Sequence, residues 1–522
     1  MQVNSKICTN TEKMKMLTTI KSQKHKISSP LYLVLSLAMF CNLLANPAQA
    51  QDLDNYGGFL KVKGEKTGYF HAEHIGERWW LITPEGHGFF GIGISHPSSS
   101  FSKGAVNFAY NGDQAAFFKD GVKKVKDLGY NCAWGGPYSQ ERIREGFIDP
   151  EIGVKVYKEA DFPYALHVPI IKHMVELKPG ETRPDVFSKE FKLFVTELVN
   201  ETVAENKENS WLLGYYYGYG SFMVDKAWVN ETINREAESP GRTHLLKILE
   251  HRYNSDIDKY NSVYQTSYKS FKEMEKNGKV NYKISYRFEK DPVKKADLKA
   301  LLTEIIVQFY KFGHDEIRKV DPNHMILGTY PKHFTFDLAI WEKITPYIDI
   351  LAPQDISDVN PINEIVEATG LPAFFSDQEY GNVYPLSLQG TKGCFGAVPD
   401  YIDRRVYYDL IFRRIMSDPN IVGASLCALL FDNSHWVQAY DRGQPGFYTI
   451  DGEPRLDLCE TISEVNALLP ELVLNPKRES EIKQMHAELL ELRAAYNLVM
   501  QKRREFLPSN PPYIKPAIQP DK

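Results

Sequence analysis

Side chains that can carry protons stand where short apolar runs of this sequence end. Such runs are typical of buried strands, and in barrels of parallel strands the catalytic groups follow the carboxyl ends of the strands. The candidate catalytic residues selected in this way are His96, His167, Tyr217, Tyr219, Tyr330, Asp377 and Glu379. Histidines, phenols and carboxylic acids suit general acid–base chemistry, in which one group removes a proton and another returns one.

The tyrosines among these candidates also have structural interpretations. Side chains alternate across a strand, so Tyr217 and Tyr219 share a face only if their strand stays regular. On that condition both point into one cavity, and we expect Tyr330 to face the same cavity one strand on. His167 lies in an apolar run and is equally well interpreted as a hydrogen-bonded core histidine. His96, beside Pro97, has the stronger claim to a site role.

Other polar and aromatic residues at the same strand ends are candidates for binding a ligand. They are Trp134, Lys332, Gln354, Asp355, Gln378 and Trp436. Tryptophan can stack on a sugar face or pack in the core, and Lys332 can bind a carboxylate or remain a solvated loop charge. Asp377 and Glu379 would be costly to bury unless they are used or matched. No CxxC pair and no glycine-rich phosphate loop is present, so we predict neither metal nor cofactor.

Strand-like and helix-like patterns alternate along the chain. Residues 69–75 and 77–83 predict a β-hairpin, and residues 122–128 and 298–320 are helical in pattern. Eight further runs predict buried strands, at residues 89–94, 131–134, 164–171, 212–217, 325–329, 348–353, 373–376 and 422–430. This alternation predicts an α/β fold, a (β/α)8 TIM barrel domain over residues 51–475 with the hairpin at its amino end.

Two tracts depart from the alternation. Residues 243–296 are rich in Tyr, Lys and Asn, and we expect an insertion over the barrel mouth. Residues 476–522 carry apolar side chains at three-four spacing on a charged background, which predicts one long amphipathic helix and a tail. Packing on the barrel wall and a homodimer seam are both open for this helix.

Residues 1–50 have the features of a signal peptide. Lysines precede an apolar run at residues 31–44, and the small-residue pattern Ala48-Gln49-Ala50 predicts cleavage after Ala50. The run is too short for a comfortable membrane span. We therefore expect a periplasmic or secreted protein.

The composition of the chain limits the classes of binding partner and indicates the state of the cysteines. The formal net charge is -5, which gives no basic surface for nucleic acid. Of the six cysteines, Cys132, Cys394, Cys427 and Cys459 follow the leader at long, irregular spacings. Buried free thiols are the simpler interpretation, although an oxidising compartment permits disulfides.

Several motifs resemble one enzyme family. Residues 78–87 (RWWLITPEGH), 185–187 (DVF), 321–324 (DPNH) and 448–454 (YTIDGEP) are similar, in order and spacing, to segments of retaining (β/α)8 glycoside hydrolases, above all the family 50 beta-agarases. The resemblance covers most of residues 69–470. It implies a barrel enzyme with two catalytic carboxylates, one attacking the sugar and one protonating the leaving oxygen.

The sequence departs from this family at both carboxylates. The family's proton donor falls on Gly220, and its asparagine neighbour falls on Tyr219. The nucleophile falls on Asp377, one carbon shorter than the family's glutamate, with Glu379 as competitor if the register slips by two.

Two explanations of these departures compete. The chain is a hydrolase of the agarase or beta-galactosidase kind whose acid lies elsewhere, or the fold performs β-elimination on a uronic acid. The second resembles the oligosaccharide dehydratases of ulvan-degrading bacteria, which implies an acidic oligosaccharide substrate and a 4,5-unsaturated product. A non-catalytic glycan-binding barrel is the third interpretation.

Overall fold

An antiparallel sheet of four short strands opens the described part of the chain. The computed structural model describes residues 53–95, 106–107, 109–134, 150–170, 183–219, 226–280, 282, 285–331, 337–354, 360–378, 401–426, 447–448, 452–475, 477, 480–485, 487–488 and 491. The strands are β1 (Phe59–Lys63), β2 (His71–Ile75), β3 (Arg78–Ile82) and β4 (His87–Phe89), in the order β1-β4-β3-β2. In the β2–β3 hairpin His71 stands opposite Ile82, and Ile75 stands opposite Arg78.

A parallel sheet of seven strands forms the centre of the fold. Its strands are β5 (Gly91–Ile94), β6 (Cys132–Ala133), β7 (Tyr164–His167), β8 (Leu212–Tyr219), β9 (Met325–Tyr330), β10 (Ala373–Gln378) and β11 (Ile421–Leu426). Their order is β10-β11-β5-β6-β7-β8-β9, so β9 and β10 are the edges. The predicted first barrel strand at residues 89–94 is divided, because Phe89 ends β4 and the barrel begins at Gly91.

Residues 349–354 occupy the eighth position between the two edge strands. The Asp349 N–H donates to the Ile326 carbonyl at 2.9 Å, and the Gln354 N–H donates to the Pro331 carbonyl at 2.7 Å. On the other side, bridges join Leu351 to Ala373 and Gln354 to Asp377 in parallel. The sheet is therefore a nearly closed barrel of the TIM type, with isolated bridges instead of a regular strand at the predicted 348–353 position.

Helices connect the strands on the outside. They are α1 (Gln114–Asp127), α2 (Pro150–Glu159), α3 (Lys189–Thr202), α4 (Lys226–Ile233), α5 (Pro240–Arg252), α6 (Ile257–Tyr264), α7 (Phe271–Asn277), α8 (Pro292–Val320), α9 (Leu338–Ile344), α10 (Asn360–Thr369), α11 (Tyr401–Ser417), α12 (Leu456–Ala467) and α13 (Leu469–Leu474). A 3-10 turn, Thr345–Tyr347, follows α9. Within the described residues, no helix is long and apolar enough to cross a membrane.

The barrel has an inner and an outer apolar layer. The inner cluster includes Trp134, Tyr216, Tyr330 and Phe374, whereas the outer cluster lies between strands and helices. Phe374 fills the interior against strands that carry glycine: a Cβ at Gly91 would lie 2.5 Å from its ring. Glycine at this position therefore admits the aromatic side chain that closes the interior.

The four-stranded sheet packs against the amino ends of the barrel strands. Phe70, Leu81 and Phe89 join the inner cluster of the barrel. The buried Arg78 guanidinium donates to the Met416 carbonyl at 2.8 Å. Burial lowers the pKa of Arg78 to about 10, against the opposing charge of Asp418. These contacts attach the four-stranded sheet to the amino end of the barrel.

The predicted insertion is a group of helices held to the first half of α8. The buried Asp297 carboxylate accepts from Arg252 Nε at 2.6 Å and from the hydroxyls of Tyr253 and Tyr264 at 2.6 and 2.9 Å. Arg242 is fixed by four backbone carbonyls, at 2.6 to 2.7 Å. Because α8 runs back to the amino end of β9, its first half and the insertion lie toward the carboxyl side of the barrel.

Two other predictions meet the described residues only in part. Cys132 and Cys459 are buried free thiols, as predicted, and burial raises the pKa of Cys132. Cys394 and Cys427, the leader at residues 1–50 and most of the predicted helix after residue 476 lie outside the described residues.

Candidate active site

Three aromatic rings form a stack where β7 and β9 end. The imidazole of His167 lies 4.7 Å from the ring of Tyr216, between centroids, with 22° between the planes. Tyr216 stacks in turn on Tyr330, at 4.5 Å and 10°. Both tyrosines are fully buried, whereas His167 is partly exposed. Of these three rings, only the imidazole therefore belongs to a partly exposed residue.

Trp134 extends this cluster across the barrel interior. The Tyr330 hydroxyl donates to the Trp134 carbonyl at 2.8 Å. The Trp134 indole stacks on Phe374, with centroids 3.5 Å apart and 9° between the planes. Trp134 is fully buried, so its observed environment is core packing and not an exposed sugar platform. Its Nε1 has no hydrogen-bond partner within the described residues.

Strand β8 is irregular at Gly218. This glycine has φ +117°, and the pairing of β8 with β9 shifts register on both sides of Tyr216. A Cβ at Gly218 would lie 3.2 Å from His167 Nε2, so glycine lets the backbone pass close to the imidazole. The condition of a regular strand, on which Tyr217 and Tyr219 were predicted to share a face, does not hold.

Tyr217 lies on the outer face of β8, against α8. Its ring meets Phe309 and Tyr310 edge-on, at 5.7 and 6.1 Å between centroids. Burial raises the pKa of Tyr217 well above its usual range. This placement does not favour the predicted role of Tyr217 as a proton carrier with phenolate character, because the phenol packs in the outer layer and is not easily ionised. The role stays a prediction. The inward-facing neighbour of Tyr217, Tyr216, was not selected from the sequence.

Gln354 and Asp377 meet at the closing seam of the barrel. Gln354 Nε2 lies 3.4 Å from Asp377 Oδ2, and the two residues also form a backbone bridge. Gln354 is buried, whereas Asp377 is partly exposed. The structure therefore brings together an amide and a carboxylate that the sequence had placed on separate strand ends.

Three buried serine side chains lie near the carboxyl ends of the barrel strands. Ser95 Oγ donates to the Ser376 carbonyl at 3.0 Å and lies 2.8 Å from Ser425 Oγ. Ser376 Oγ donates to the Ala352 carbonyl at 2.8 Å. Serine in a strand carries no distinctive signal, so the sequence analysis missed this group.

The remaining candidate site residues lie outside the part of the chain that the structure describes. His96, Lys332, Asp355, Glu379 and Trp436 are not among the described residues, nor is Gly220. For Tyr219 and Gln378 only the backbone is described: the Tyr219 Cα pairs with Tyr330 at the end of β8. The roles predicted for these residues stay predictions.

A separate polar cluster lies in the antiparallel sheet. Ligand atoms of Asp54, Glu85 and His87 lie within 4.8 Å of one another. The Asp54 carboxylate already accepts from two backbone N–H groups, at 2.9 and 2.8 Å, and contacts His87 Nδ1 at 2.9 Å. Lys63 Nζ lies 3.1 Å from His87 Nε2, so a cation already faces this ring. The donor set therefore suits a structural hydrogen-bond network better than a metal.

A buried pair of hydrogen-bonded side chains, Asp321 and His324, lies at the amino end of β9. Asp321 Oδ2 lies 2.6 Å from His324 Nδ1 and accepts from the Tyr215 hydroxyl at 2.6 Å. His324 Nε2 faces the Asn209 carbonyl at 3.0 Å, so both ring nitrogens face acceptors. Burial alone would raise the pKa of Asp321, but the hydrogen bond and charge of His324 hold it at about 2. The 321–324 motif is thus structural.

Comparison with known proteins places the fold among TIM-type barrels. No protein-family model matches the chain. The sequence is 20% identical over 505 residues to Beta-agarase B from Vibrio sp. (strain JT0107), covering 81% of this chain and 50% of that protein. The chain thus spans half the length of this relative and is a distant homologue of it.

Solved structures, two of them of agarases, share the fold. An agarase, AgWH50C, superposes with a TM-score of 0.64 and 16% identity, over 87% of this chain and 73% of that one. An exo-beta-agarase gives 0.64 and 18%, over 86% of this chain and 72% of that one. BpGH50 gives 0.58 and 16%, over 81% and 87%. The resemblance to beta-agarases is therefore confirmed at the level of fold and distant homology.

Proposed function

We propose that this protein is a carbohydrate-active enzyme that binds an acidic oligosaccharide at the carboxyl end of the barrel and performs β-elimination. The distant relation to Beta-agarase B supports a glycan ligand. Catalysis at this end is the general rule for such barrels. The partly exposed His167 and Asp377 supply groups that can exchange protons there.

One observation carries the choice of elimination. Strand β8 ends in Tyr219, and the resemblance to the agarases matches the family's proton-donating acid to the next residue, Gly220. The cluster that the structure does place beside this strand is aromatic, with His167 stacked on Tyr216. A carboxylate on β10, with imidazole and phenol groups on β7 and β8, supports proton abstraction as the chemistry of this site.

The reaction can be written as a proton transfer and a bond cleavage. A base removes the proton from C5 of the uronic acid, next to its carboxylate, and the C–H electron pair forms the C4–C5 double bond. The C4–O bond breaks, and its oxygen leaves with a proton from an acid. If the leaving group is the free 4-hydroxyl, the products are water and a 4,5-unsaturated sugar.

We assign His167 as the base and Tyr219 as the acid in this scheme. His167 is the partly exposed residue of the stack, and the β8 backbone passes close to its Nε2 at Gly218. Tyr219 follows Gly218 directly. Gln354 and Lys332 are proposed to hold the substrate carboxylate, which gains charge as the proton leaves.

A hydrolase of the agarase kind is the second candidate function. The relation to Beta-agarase B favours it, and Asp377 would serve as nucleophile. It requires an acid from a residue outside the described part of the chain, such as Glu379. A barrel that binds glycan without converting it is the third candidate.

One assay distinguishes the three. The enzyme is incubated with ulvan oligosaccharides and with agaro-oligosaccharides, while the ultraviolet absorbance of a conjugated alkene and the number of reducing ends are followed. Only elimination creates the alkene, and only chain cleavage creates reducing ends. New reducing ends without absorbance would replace our proposal by the hydrolase.

A further inference from the structure

Strand β10 carries one extra residue just before its end. Against β11, Phe375 stands opposite Ala424 and Gln378 stands opposite Leu426, so three steps along β10 match two steps along β11. This is the residue count of a β-bulge, and the bulge falls on Ser376 and Asp377. Bulges break the alternation of side chains along a strand and are common beside active sites, where they re-aim a side chain.

The bulge changes the surroundings of Asp377. Residues two apart share a face in a regular strand, and Phe375 belongs to the outer apolar layer. Asp377 is instead partly exposed, and its Oδ2 lies 3.4 Å from Gln354 Nε2. A regular β10 would direct this carboxylate toward the helix layer, where a buried charge is costly. The bulge therefore accounts for the position of Asp377 at the closing seam of the barrel.

Hydrogen bonds of Ser376 fix the backbone of the bulge. Ser376 Oγ donates to the Ala352 carbonyl at 2.8 Å, and the Ser376 N–H donates to the Pro353 carbonyl at 2.9 Å. From β5, on the far side of β11, Ser95 Oγ donates to the Ser376 carbonyl at 3.0 Å. That carbonyl belongs to the peptide that joins Ser376 to Asp377. These bonds therefore hold the chain directly beside the carboxylate.

A third hydroxyl fixes Ser95. A hydroxyl has a single hydrogen, so when Ser95 donates to the Ser376 carbonyl, Ser425 Oγ, 2.8 Å away, donates to Ser95 Oγ. The Ser95 N–H is held as well, by the Leu426 carbonyl at 2.9 Å. All three serines are fully buried. Hydrogen bonds in such surroundings are stronger than in water, so each hydroxyl has a defined direction.

We propose that Ser425, Ser95 and Ser376, the serine relay, are positioning residues that fix the β10 bulge and thereby hold the Asp377 carboxylate in place for catalysis. They act through the backbone of β10 and not by contact with the substrate. The inference rests on the proposed function, in which Asp377 exchanges protons during elimination or, in the second candidate function, serves as nucleophile. Placement of Asp377 by the relay is the same in both reactions.

Crystal structures of wild type and of the serine variants test the placement. We expect Ser95→Ala and Ser376→Ala each to displace the Asp377 carboxylate by at least about 0.5 Å, the tolerance of a catalytic group. Ser425→Ala, which removes only the donor to Ser95, should give a smaller displacement in the same direction and serves as the mildest variant if the others fail to fold. An unmoved Asp377 in the variants that fold would overturn the inference.

A double-mutant cycle tests the consequence for turnover. We expect Ser95→Ala to lower kcat at least about tenfold and to leave KM within about twofold, because a small misplacement of a reacting group affects mainly the chemical step. In an Asp377→Asn background, Ser95→Ala should change kcat by less than about twofold, since the group that it positions is already altered. Equal factors in both backgrounds would show a merely structural role and overturn the inference.

Ser417→Ala is the matched control. Ser417 is buried at the end of α11, just before β11, and its Oγ has no hydrogen-bond partner within the described residues. This variant should keep the wild-type kcat and the wild-type position of Asp377. A displaced Asp377 in the relay variants, together with a wild type that converts neither ulvan nor agaro-oligosaccharides, would support the relay and refute the proposed function. Alkene formation by wild type, with Asp377 unmoved in the relay variants, would do the reverse.

Discussion

Tyr216 and Tyr217 are neighbours in the chain but belong to different layers of the barrel. Tyr216 stacks on Tyr330 in the interior, at 4.5 Å, while Tyr217 meets Phe309 on α8, at 5.7 Å. The inner residue supports His167, and the outer residue supports the helix layer. Because of this division, a substitution at Tyr217 serves as a control for substitutions in the barrel interior.

Removal of the proposed base or acid should abolish turnover, and removal of the outer phenol should not. We expect His167→Gln and Tyr219→Phe each to lower kcat at least about a hundredfold, the usual scale for losing a general base or acid. Tyr217→Phe should keep a nearly normal kcat. Initial rates of alkene formation measure this; near-normal rates in the first two variants would move the proton transfers to His96 and Glu379.

The two outward-facing phenols of β8 should differ in their contribution to stability. The Tyr215 hydroxyl donates to Asp321 at 2.6 Å, whereas the Tyr217 hydroxyl has no hydrogen-bond partner within the described residues. Tyr215→Phe should therefore cost roughly 1–3 kcal/mol of unfolding free energy, and Tyr217→Phe should be neutral or stabilising. Urea unfolding of both variants gives the comparison. Equal losses would show that the Tyr217 hydroxyl is hydrogen-bonded.

The Asp321–His324 pair should affect how the free energy of unfolding changes with pH in the acidic range. The folded-state pKa of Asp321 is about 2, below the ordinary value of 3.8, because His324 outweighs the effect of burial. A depressed carboxyl pKa stabilises the fold above about pH 4, and this stabilisation is lost as the pH falls toward 2. It amounts to roughly 2 kcal/mol.

Asp321→Asn should remove this component. Unfolding free energies measured from pH 7 down to pH 3 should fall less steeply for the variant than for wild type over the part of this range below pH 4. Parallel curves would contradict the assignment of an ionised Asp321.

A carboxylate placed directly after β8 should not create hydrolysis. We expect Gly220→Glu to have no glycosidase activity, because the agarase resemblance matches Tyr219 to an asparagine and Asp377 to a longer glutamate. Hydrolysis of an aryl beta-galactoside is the readout. Appreciable release of the aryl group would indicate that the site is still built for hydrolysis.

The sequence predicted the barrel because its strands and helices are indicated by the spacing of apolar residues and by the length of each run. It located the position of residues 349–354, although the chain closes the barrel there with isolated bridges. It also placed His167, Gln354 and Asp377 at strand ends that the structure brings to one edge. These predictions needed only strand order and the direction of a parallel sheet.

The choice between facing layers could not be made from the sequence. In a run of consecutive tyrosines, the residue types do not indicate which side chains face the barrel interior. The positive φ of Gly218 also breaks the alternation that would assign Tyr219 to one face of the strand. The burial of Trp134 depends on Phe374, which lies 240 residues away in the chain, and no local pattern encodes that contact. A serine hydroxyl such as that of Ser95 can be recognised as part of a site only when its hydrogen-bond partners are known.

The most direct test of the account is the ultraviolet absorbance of wild-type enzyme with ulvan oligosaccharides that carry a saturated uronic acid at the non-reducing end. Elimination predicts rising absorbance from a conjugated alkene, and mass spectrometry should show loss of one water with no new reducing ends. Reducing ends that accumulate without that absorbance would contradict elimination and establish hydrolysis in its place.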